Sequence, residues 1–306
     1  MPPRPVLKNK TYLVSRRCKD RRFFLRPSKS TNNIVTYLLG LAASRYQLQF
    51  HGWVAMSNHI HLVLTDVGAR LPDAMHFLIL QTSKAVGAEI GRWGGFWEDG
   101  RYSRVELIGT PTIIAKIAYT ITNPVVAGRV RHSKDWPGVT SANWVFGAAK
   151  EIRKPNSRYL TGKKWEALVT LELVPPPGLT AGEAQKRVQA RVRQREKAVE
   201  RFMAIRRRQS RKTRFEGPTK FAGVEQILAQ DPFAAPQTQE KRRRLNPTFA
   251  STDKQARTKA AERKRTFERT YRKALKAWRA GDRNVEWPPG TWAMVRHHGC
   301  SRAGQV

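Results

Sequence analysis

The first 110 residues contain two kinds of apolar pattern. Short segments rich in β-branched and aromatic residues predict strands, and longer segments with apolar residues at three-and-four spacing predict helices. The resulting βαββαβ order predicts an α+β fold with a ferredoxin-like antiparallel sheet, whose two helices share one face and leave the other face available for a site. The predicted elements are a strand at 11–15, a helix from Ser30 or Thr31 to Tyr46, strands at 47–55 and 59–65, a helix from Pro72 to Gly94, and a strand at 103–108.

One predicted strand carries two histidines in an otherwise apolar run. Because strand side chains alternate between faces, Ile60, Leu62 and Leu64 should point to the core. His59 and His61 then share the opposite face, with Cα atoms roughly 6–7 Å apart, which suits joint coordination of one metal ion. The alternative is a pair of half-exposed strand residues without chemistry, because a metal site needs a third ligand from elsewhere.

A third helix, predicted over residues 112–123 and added to the ferredoxin-like core, carries a candidate nucleophile. Tyr119, Asn123 and Lys116 fall opposite its apolar stripe, within roughly 60° of one another at about 100° per residue. Pro124 disfavours helical geometry at Asn123, so the amide is expected at the helix end, where its oxygen could reach a cation. The stripe consists of Ile114, Ile117, Ala118 and Ile121.

Charge narrows the class of partner. The 306 residues carry 58 Lys and Arg against 23 Asp and Glu, a formal net charge of +35. Residues 1–150 hold 21 basic against 8 acidic side chains, and residues 151–306 hold 37 against 15, so both halves are basic. No run approaches the roughly 18 apolar residues of a membrane-spanning helix. We therefore expect a nucleic acid rather than a membrane as the partner, and a cytoplasmic, nucleoid-associated location.

The second half has a different organisation. Residues 151–180 are predicted to be a linker because Pro175-Pro176-Pro177-Gly178 is a stiff break. Residues 181–306 are predicted to be a basic, mostly helical DNA-binding extension, in which 216–250 are partly disordered and the charge favours salt-sensitive phosphate contacts. Long helices are expected at about 181–214, with a stripe of Val188, Val192, Val199 and Phe202, and at about 252–280, where Phe267, Tyr271, Leu275 and Trp278 meet an aromatic cluster at 285–292. The concentrated charges are Arg206, Arg207, Arg208, Arg242, Arg243 and Arg244.

Several motifs of residues 8–145 resemble, in order and spacing, those of the single-tyrosine HUH transposases. The most similar group is the one associated with repetitive extragenic palindromes, whose tyrosine motif ends in Asn-Pro. Ser57 departs from the family's usual proline and Thr120 from its usual isoleucine. The matching segments are 56–62, 95–97 with Arg101-Tyr102, 119–125 with Ala127-Gly128, and Asp135-Trp136-Pro137 with Ser141.

The resemblance implies a nuclease domain over residues 1–150 that cleaves and rejoins single-stranded DNA beside a hairpin. It implies that Tyr119 is the nucleophile of a covalent 5′-phosphotyrosine intermediate. It also implies that His59 and His61, with Asn123 as the third ligand, bind a divalent Mg²⁺ or Mn²⁺ ion. Two roles are equally open for Lys116: its charge could favour the phenolate of Tyr119, or it could contact a DNA phosphate. The other predicted DNA contacts in this domain are Lys84, Arg101 and Arg104.

Four alternatives stay open from the sequence. Tyr102 is a rival nucleophile, although packing is its favoured role. A non-catalytic nucleic-acid-binding protein could retain the fold, and a replication-initiator or relaxase-type nicking enzyme could use the same residues. We expect a monomer, with a homodimer as the alternative.

Overall fold

A computed structural model of the chain describes residues 3–209, 220–236 and 247–301. The N-terminal elements follow the predicted βαββαβ order, which confirms the predicted fold class. Within the described ranges, no helix is long and apolar enough to cross a lipid bilayer. These elements are β1 (Lys10–Arg17), α1 (Lys29–Tyr46), β2 (Leu48–Met56), β3 (His59–Asp66), α2 (Leu71–Ile90) and β4 (Ser103–Ile108).

The central sheet has the strand order β2-β3-β1-β4, with every neighbouring pair antiparallel. β2 and β3 form a hairpin, so the two histidines lie at the beginning of its second strand. β3 alternates as expected: Ile60, Leu62 and Leu64 are buried in the main core, whereas His59 and His61 are half-buried on the other face. The hydrophobic pattern therefore fixes the register of this strand.

Helices α1 and α2 pack on each other and supply the apolar residues that cover one face of the sheet. Ser28 begins α1 as its N-cap, since its Oγ accepts a hydrogen bond from the Thr31 backbone N–H at 3.1 Å. Gly91, with a φ of 69°, ends α2 three residues before the predicted Gly94.

The opposite face of the sheet carries α3 (Thr110–Ile121). A glycine in β2 favours close approach of this helix, because a Cβ at Gly52 would lie 3.1 Å from Cγ2 of Ile117. A short helix, α4 (Asn123–Val126), follows Thr122. The predicted single helix over 112–123 thus ends two residues early, since Pro124 has no N–H with which to continue the ladder.

The predicted linker at 151–180 is wrong in part, because it contains ordered structure that packs on the core. β5 (Ala149–Arg153) and β6 (Leu168–Glu172) form an antiparallel pair beside α1. Val169 and Leu171 are buried in the main core, and a Cβ at Gly40 of α1 would lie only 2.7 Å from Cγ2 of Val169. The alternation of Val169, Leu171 and Leu173 is a strand signal that the neighbouring prolines obscured.

The segment predicted as partly disordered also contains packed structure. Within its described part, α6 (Val224–Leu228) buries Ile227 against Val54, Met56 and Val125. The chain is held there by backbone hydrogen bonds, including Phe23 N–H to the Ala234 carbonyl at 3.0 Å. Burial of one apolar residue and several backbone hydrogen bonds therefore hold residues 220–236, whereas 216–219 and 237–246 lie outside the described residues.

The C-terminal region consists mainly of helices, as predicted. α5 (Ala181–Gln209) packs on α3, and α7 (Lys254–Arg279) begins at the N-cap Asp253. β7 (Phe249–Ser251) adds an unpredicted fifth strand, parallel to β4. The expected aromatic cluster is present: Trp287 is fully buried among α7 residues and Met294 of α8 (Ala293–His298).

Candidate active site

The two histidines of β3 form the centre of the candidate site. Their rings meet edge to face, with centroids 4.8 Å apart. Asn58 Oδ1 accepts a hydrogen bond from His59 Nδ1 at 2.7 Å, which leaves the lone pair on Nε2. Burial, with His59 and Arg17 nearby, holds the pKa of His61 well below its usual range. His61 is therefore neutral, the form of imidazole that binds metal ions.

Tyr119 reaches this histidine pair from α3. Its ring lies edge to face against His61, with centroids 5.6 Å apart. Two cations border the same phenol ring: Lys116 Nζ lies 5.4 Å from the ring centroid and Arg195 Cζ lies 5.5 Å from it. A strand and a helix on one face of the sheet thus bring together the tyrosine and the histidines that the sequence singled out.

Asn123 is the third predicted ligand. It begins α4, four residues after Tyr119, and is half-buried. Among the described residues its side chain makes no hydrogen bond. Its role as a third ligand stays a prediction.

The two histidines supply only part of the coordination that a divalent cation needs. The Nδ1 atom of His61 is buried and has no hydrogen-bond partner among the described residues, so an orphaned nitrogen lies inside the site. In the described part of the chain, no three His, Cys, Asp or Glu side chains are grouped so that they could hold a metal ion. Two imidazoles would therefore need an amide oxygen, water or a substrate phosphate to complete the coordination of an ion.

Helix α5 contributes a residue that the sequence did not identify. The Nε–H of Arg195 donates to Thr122 Oγ1 at 2.8 Å, while the guanidinium lies over the Tyr119 ring. Burial lowers the pKa of Arg195 from its ordinary value. A signal was available, because Arg195 occupies the position between Val192 and Val199 in the apolar stripe of α5, where a charge indicates a specific partner.

The predicted DNA contacts fall in different places. Lys84 is exposed on α2, whose side chains pack on the face of the sheet opposite α3, and Arg101 is exposed in the loop before β4. Arg104 is 8% exposed and donates from Nη2 to the Pro5 carbonyl at 2.9 Å, so it is a structural residue and not an exposed phosphate contact. The remaining clusters are Arg206, Arg207 and Arg208, at the far end of α5, and Arg242, Arg243 and Arg244, which lie outside the described residues.

Tyr102 is less suited than Tyr119 to act as the nucleophile. It packs against the main hydrophobic core, and burial raises its pKa above the ordinary value. Burial disfavours the phenolate that nucleophilic attack needs. Tyr119 is thus the better-placed phenol, although its catalytic role stays a prediction.

Comparison of the sequence with known protein families and with curated proteins gives no match. Among solved structures, the chain is similar to a REP-associated tyrosine transposase bound to a REP hairpin, with a TM-score of 0.40 and 17% identity over 46% of this chain and 81% of that one. It is also similar to a putative transposase from Deinococcus radiodurans R1, with a TM-score of 0.29 and 18% identity over 40% of this chain and 96% of that one.

Proposed function

We propose that this chain is a transposase that cleaves and rejoins single-stranded DNA through a covalent bond to Tyr119. The observation that carries the proposal is the edge-to-face contact of Tyr119 with His61, which itself meets His59 edge to face. These are the residues that the motif resemblance names as nucleophile and metal ligands. They come from different elements, so the fold and not sequence proximity joins them.

Cleavage would proceed by attack of the Tyr119 phenol oxygen on a backbone phosphorus. A Tyr119 oxygen–phosphorus bond forms as the bond from phosphorus to the 3′ oxygen breaks. The 3′ oxygen takes up a proton and leaves as a hydroxyl, while the phenol proton passes to solvent. Attack by a 3′-hydroxyl on the phosphotyrosine reverses these steps and rejoins a strand without ATP.

His59 and His61, with Asn123 as the proposed third ligand, would hold the divalent Mg²⁺ or Mn²⁺ ion. When bound, such an ion supplies Lewis-acid stabilisation of charge on the phosphoryl oxygens. The hydrogen bond from His59 to Asn58 orients one ring, and burial keeps His61 neutral. Lys116 stands beside the phenol, where it can contact phosphate.

The proposed substrate is single-stranded DNA next to a hairpin, and we expect the protein to act as a monomer. We expect a hairpin in the substrate because of the motif resemblance, and a polyanionic substrate because of the net charge of +35. A non-catalytic DNA-binding protein would share both features. Cleavage is what separates the two functions.

The proposal is tested with a labelled oligonucleotide that carries a hairpin and a single-stranded flank, incubated with Mn²⁺ or Mg²⁺. We expect a protein–DNA adduct that survives denaturing electrophoresis. Tyr119→Phe should remove this adduct while hairpin binding, measured by anisotropy, stays within about threefold of wild type.

Tyr102→Phe is the matched control, since it deletes the same hydroxyl from the rival tyrosine. It should leave the adduct in place. Persistence of the adduct in Tyr119→Phe would refute the assignment, and absence of any adduct from the wild-type protein would favour the non-catalytic alternative.

A further inference from the structure

The long basic helix α5 contributes a side chain to the candidate site. Its apolar buried and half-buried positions form one stripe, and the charged residue Arg195 stands within it. The neighbouring stripe positions are apolar, and they face the tyrosine helix because α5 packs on α3. A guanidinium that lies between two packed helices loses part of its hydration, so it needs hydrogen-bond acceptors or an anion as partners. The stripe consists of Ala184, Val188, Val192, Arg195, Val199 and Met203.

One side of the Arg195 guanidinium is fixed by α3. Its Nε–H donates to Thr122 Oγ1, and the same hydroxyl donates to the Ala118 carbonyl at 2.7 Å. The guanidinium is thereby tied to the last turn of the helix that carries Tyr119. Its carbon lies 5.5 Å from the centroid of the phenol ring, within the range of a cation–π contact.

The other side of the guanidinium carries the two Nη groups. Neither makes a hydrogen bond or ion pair with any residue in the described ranges. Arginine presents its donors in a planar fork that matches the oxygens of a phosphate. Nε already donates to Thr122, so the two Nη groups beside the phenol remain as donors for a ligand.

Helix α5 is itself held in place next to Arg195. Glu196, the next residue, accepts hydrogen bonds from the Ser133 backbone N–H at 2.7 Å and from its Oγ at 2.5 Å. The same carboxylate lies 3.5 Å from His132 Nδ1. These bonds anchor α5 to the segment that follows the tyrosine helix, so Arg195 is presented on a fixed support.

We propose that Arg195 is an active-site residue that binds the phosphate attacked by Tyr119 while it holds the phenol ring in place. The inference rests on the proposed function. It adds Arg195 to Tyr119 as a residue that contacts the phosphate, on the side of the phenol where α5 lies. It assigns a role in the chemistry to α5, within the region predicted as a DNA-binding extension.

The test measures the single-turnover rate of adduct formation at saturating oligonucleotide. Arg195→Gln should lower this rate by about 100-fold to 1,000-fold, as expected for loss of one preorganised donor to developing charge. Hairpin affinity and melting temperature should stay close to wild type. Arg195→Lys should recover part of the rate, because it keeps the charge without the fork. The matched control is Arg193→Gln, which removes an exposed charge from the same helix and should leave the rate unchanged.

A sulfur substitution in the substrate identifies the contact. Each phosphorothioate diastereomer at the scissile position is compared in wild type and in Arg195→Gln. We expect one diastereomer to slow the wild-type protein by a factor that shrinks in the variant, because the donor to that oxygen is already gone.

Two failures are distinguishable. If wild type forms the adduct and Arg195→Gln forms it at the same rate, or if the sulfur effect is identical in both proteins, the role of Arg195 is refuted and the proposed function stands. If wild type forms no adduct, the proposed function fails and the inference fails with it.

Discussion

Helices α5 and α7 are similar in length and in basic composition, and they differ in what they contact. They contain 29 and 26 residues, and both are dominated by Lys and Arg. α5 lies against the tyrosine helix and places Arg195 on the phenol ring. α7 instead buries Phe267 and Tyr271 against Trp287, in a small aromatic core of its own.

The difference shows that basic composition does not define one role for the C-terminal region. A charge within an apolar stripe, as in α5, is held near a specific partner. The apolar stripe of α7 is aromatic, and its charged residues are largely exposed. α7 is tied to the sheet through Arg263, whose Nη2 donates to both carboxylate oxygens of Glu106 at 2.6 and 2.7 Å. We therefore expect α5 to matter for chemistry and α7 for binding.

The largest expected effect is on the stability of the α7 cluster. Trp287→Ala removes a fully buried indole and should destabilise this cluster by about 3–5 kcal/mol. Hydrogen exchange of α7 amides should accelerate accordingly, whereas adduct formation should stay within about twofold of wild type. Loss of the adduct in this variant would show that α7 belongs to the active site.

The second effect concerns the two histidine pairs of the chain. His61→Ala should lower the metal-dependent rate of adduct formation by at least about 100-fold, since loss of even an outer partner of a metal ligand has an effect of 10-fold to 100-fold. His297→Ala in α8 is the matched control, because this exposed ring only packs against Trp292. Equal rates in the two variants would contradict the metal site.

The third effect compares two glutamates. Glu196→Ala leaves the Ser133 N–H without its partner and should lower the free energy of unfolding by about 1–3 kcal/mol. Glu268→Ala on α7 removes a single half-buried pair with Lys264, four residues away on the same helix, and should change the free energy of unfolding by less than about 0.5 kcal/mol. Chemical denaturation measures both, and a reversed order would mean that α5 is not anchored as described.

The predictable part of the fold depends on local periodicity. The alternation around His59 and His61 determines which face of β3 is buried, and the order of elements led to the sheet topology. The same periodicity on α3 placed Tyr119 opposite the core stripe. These features need only the sequence of one element and the rules for pairing its neighbours.

The missed features depend on contacts between distant parts of the chain. Docking of α5 on α3 joins Arg195 to Thr122, 73 residues apart, and the sparse valine stripe did not indicate which helix it would meet. Pairing of β7 with β4 likewise joins Phe249 to Glu106. A three-residue strand has too little pattern to be recognised before its partner is known.

The central claim is that Tyr119 becomes covalently joined to DNA, and peptide mapping of the adduct tests it most directly. The adduct formed with the hairpin oligonucleotide would be digested with protease and nuclease, and the modified peptide sequenced by mass spectrometry. We predict a nucleotide attached through its 5′ phosphate to Tyr119. Attachment to Tyr102, or to any other residue, would contradict the account.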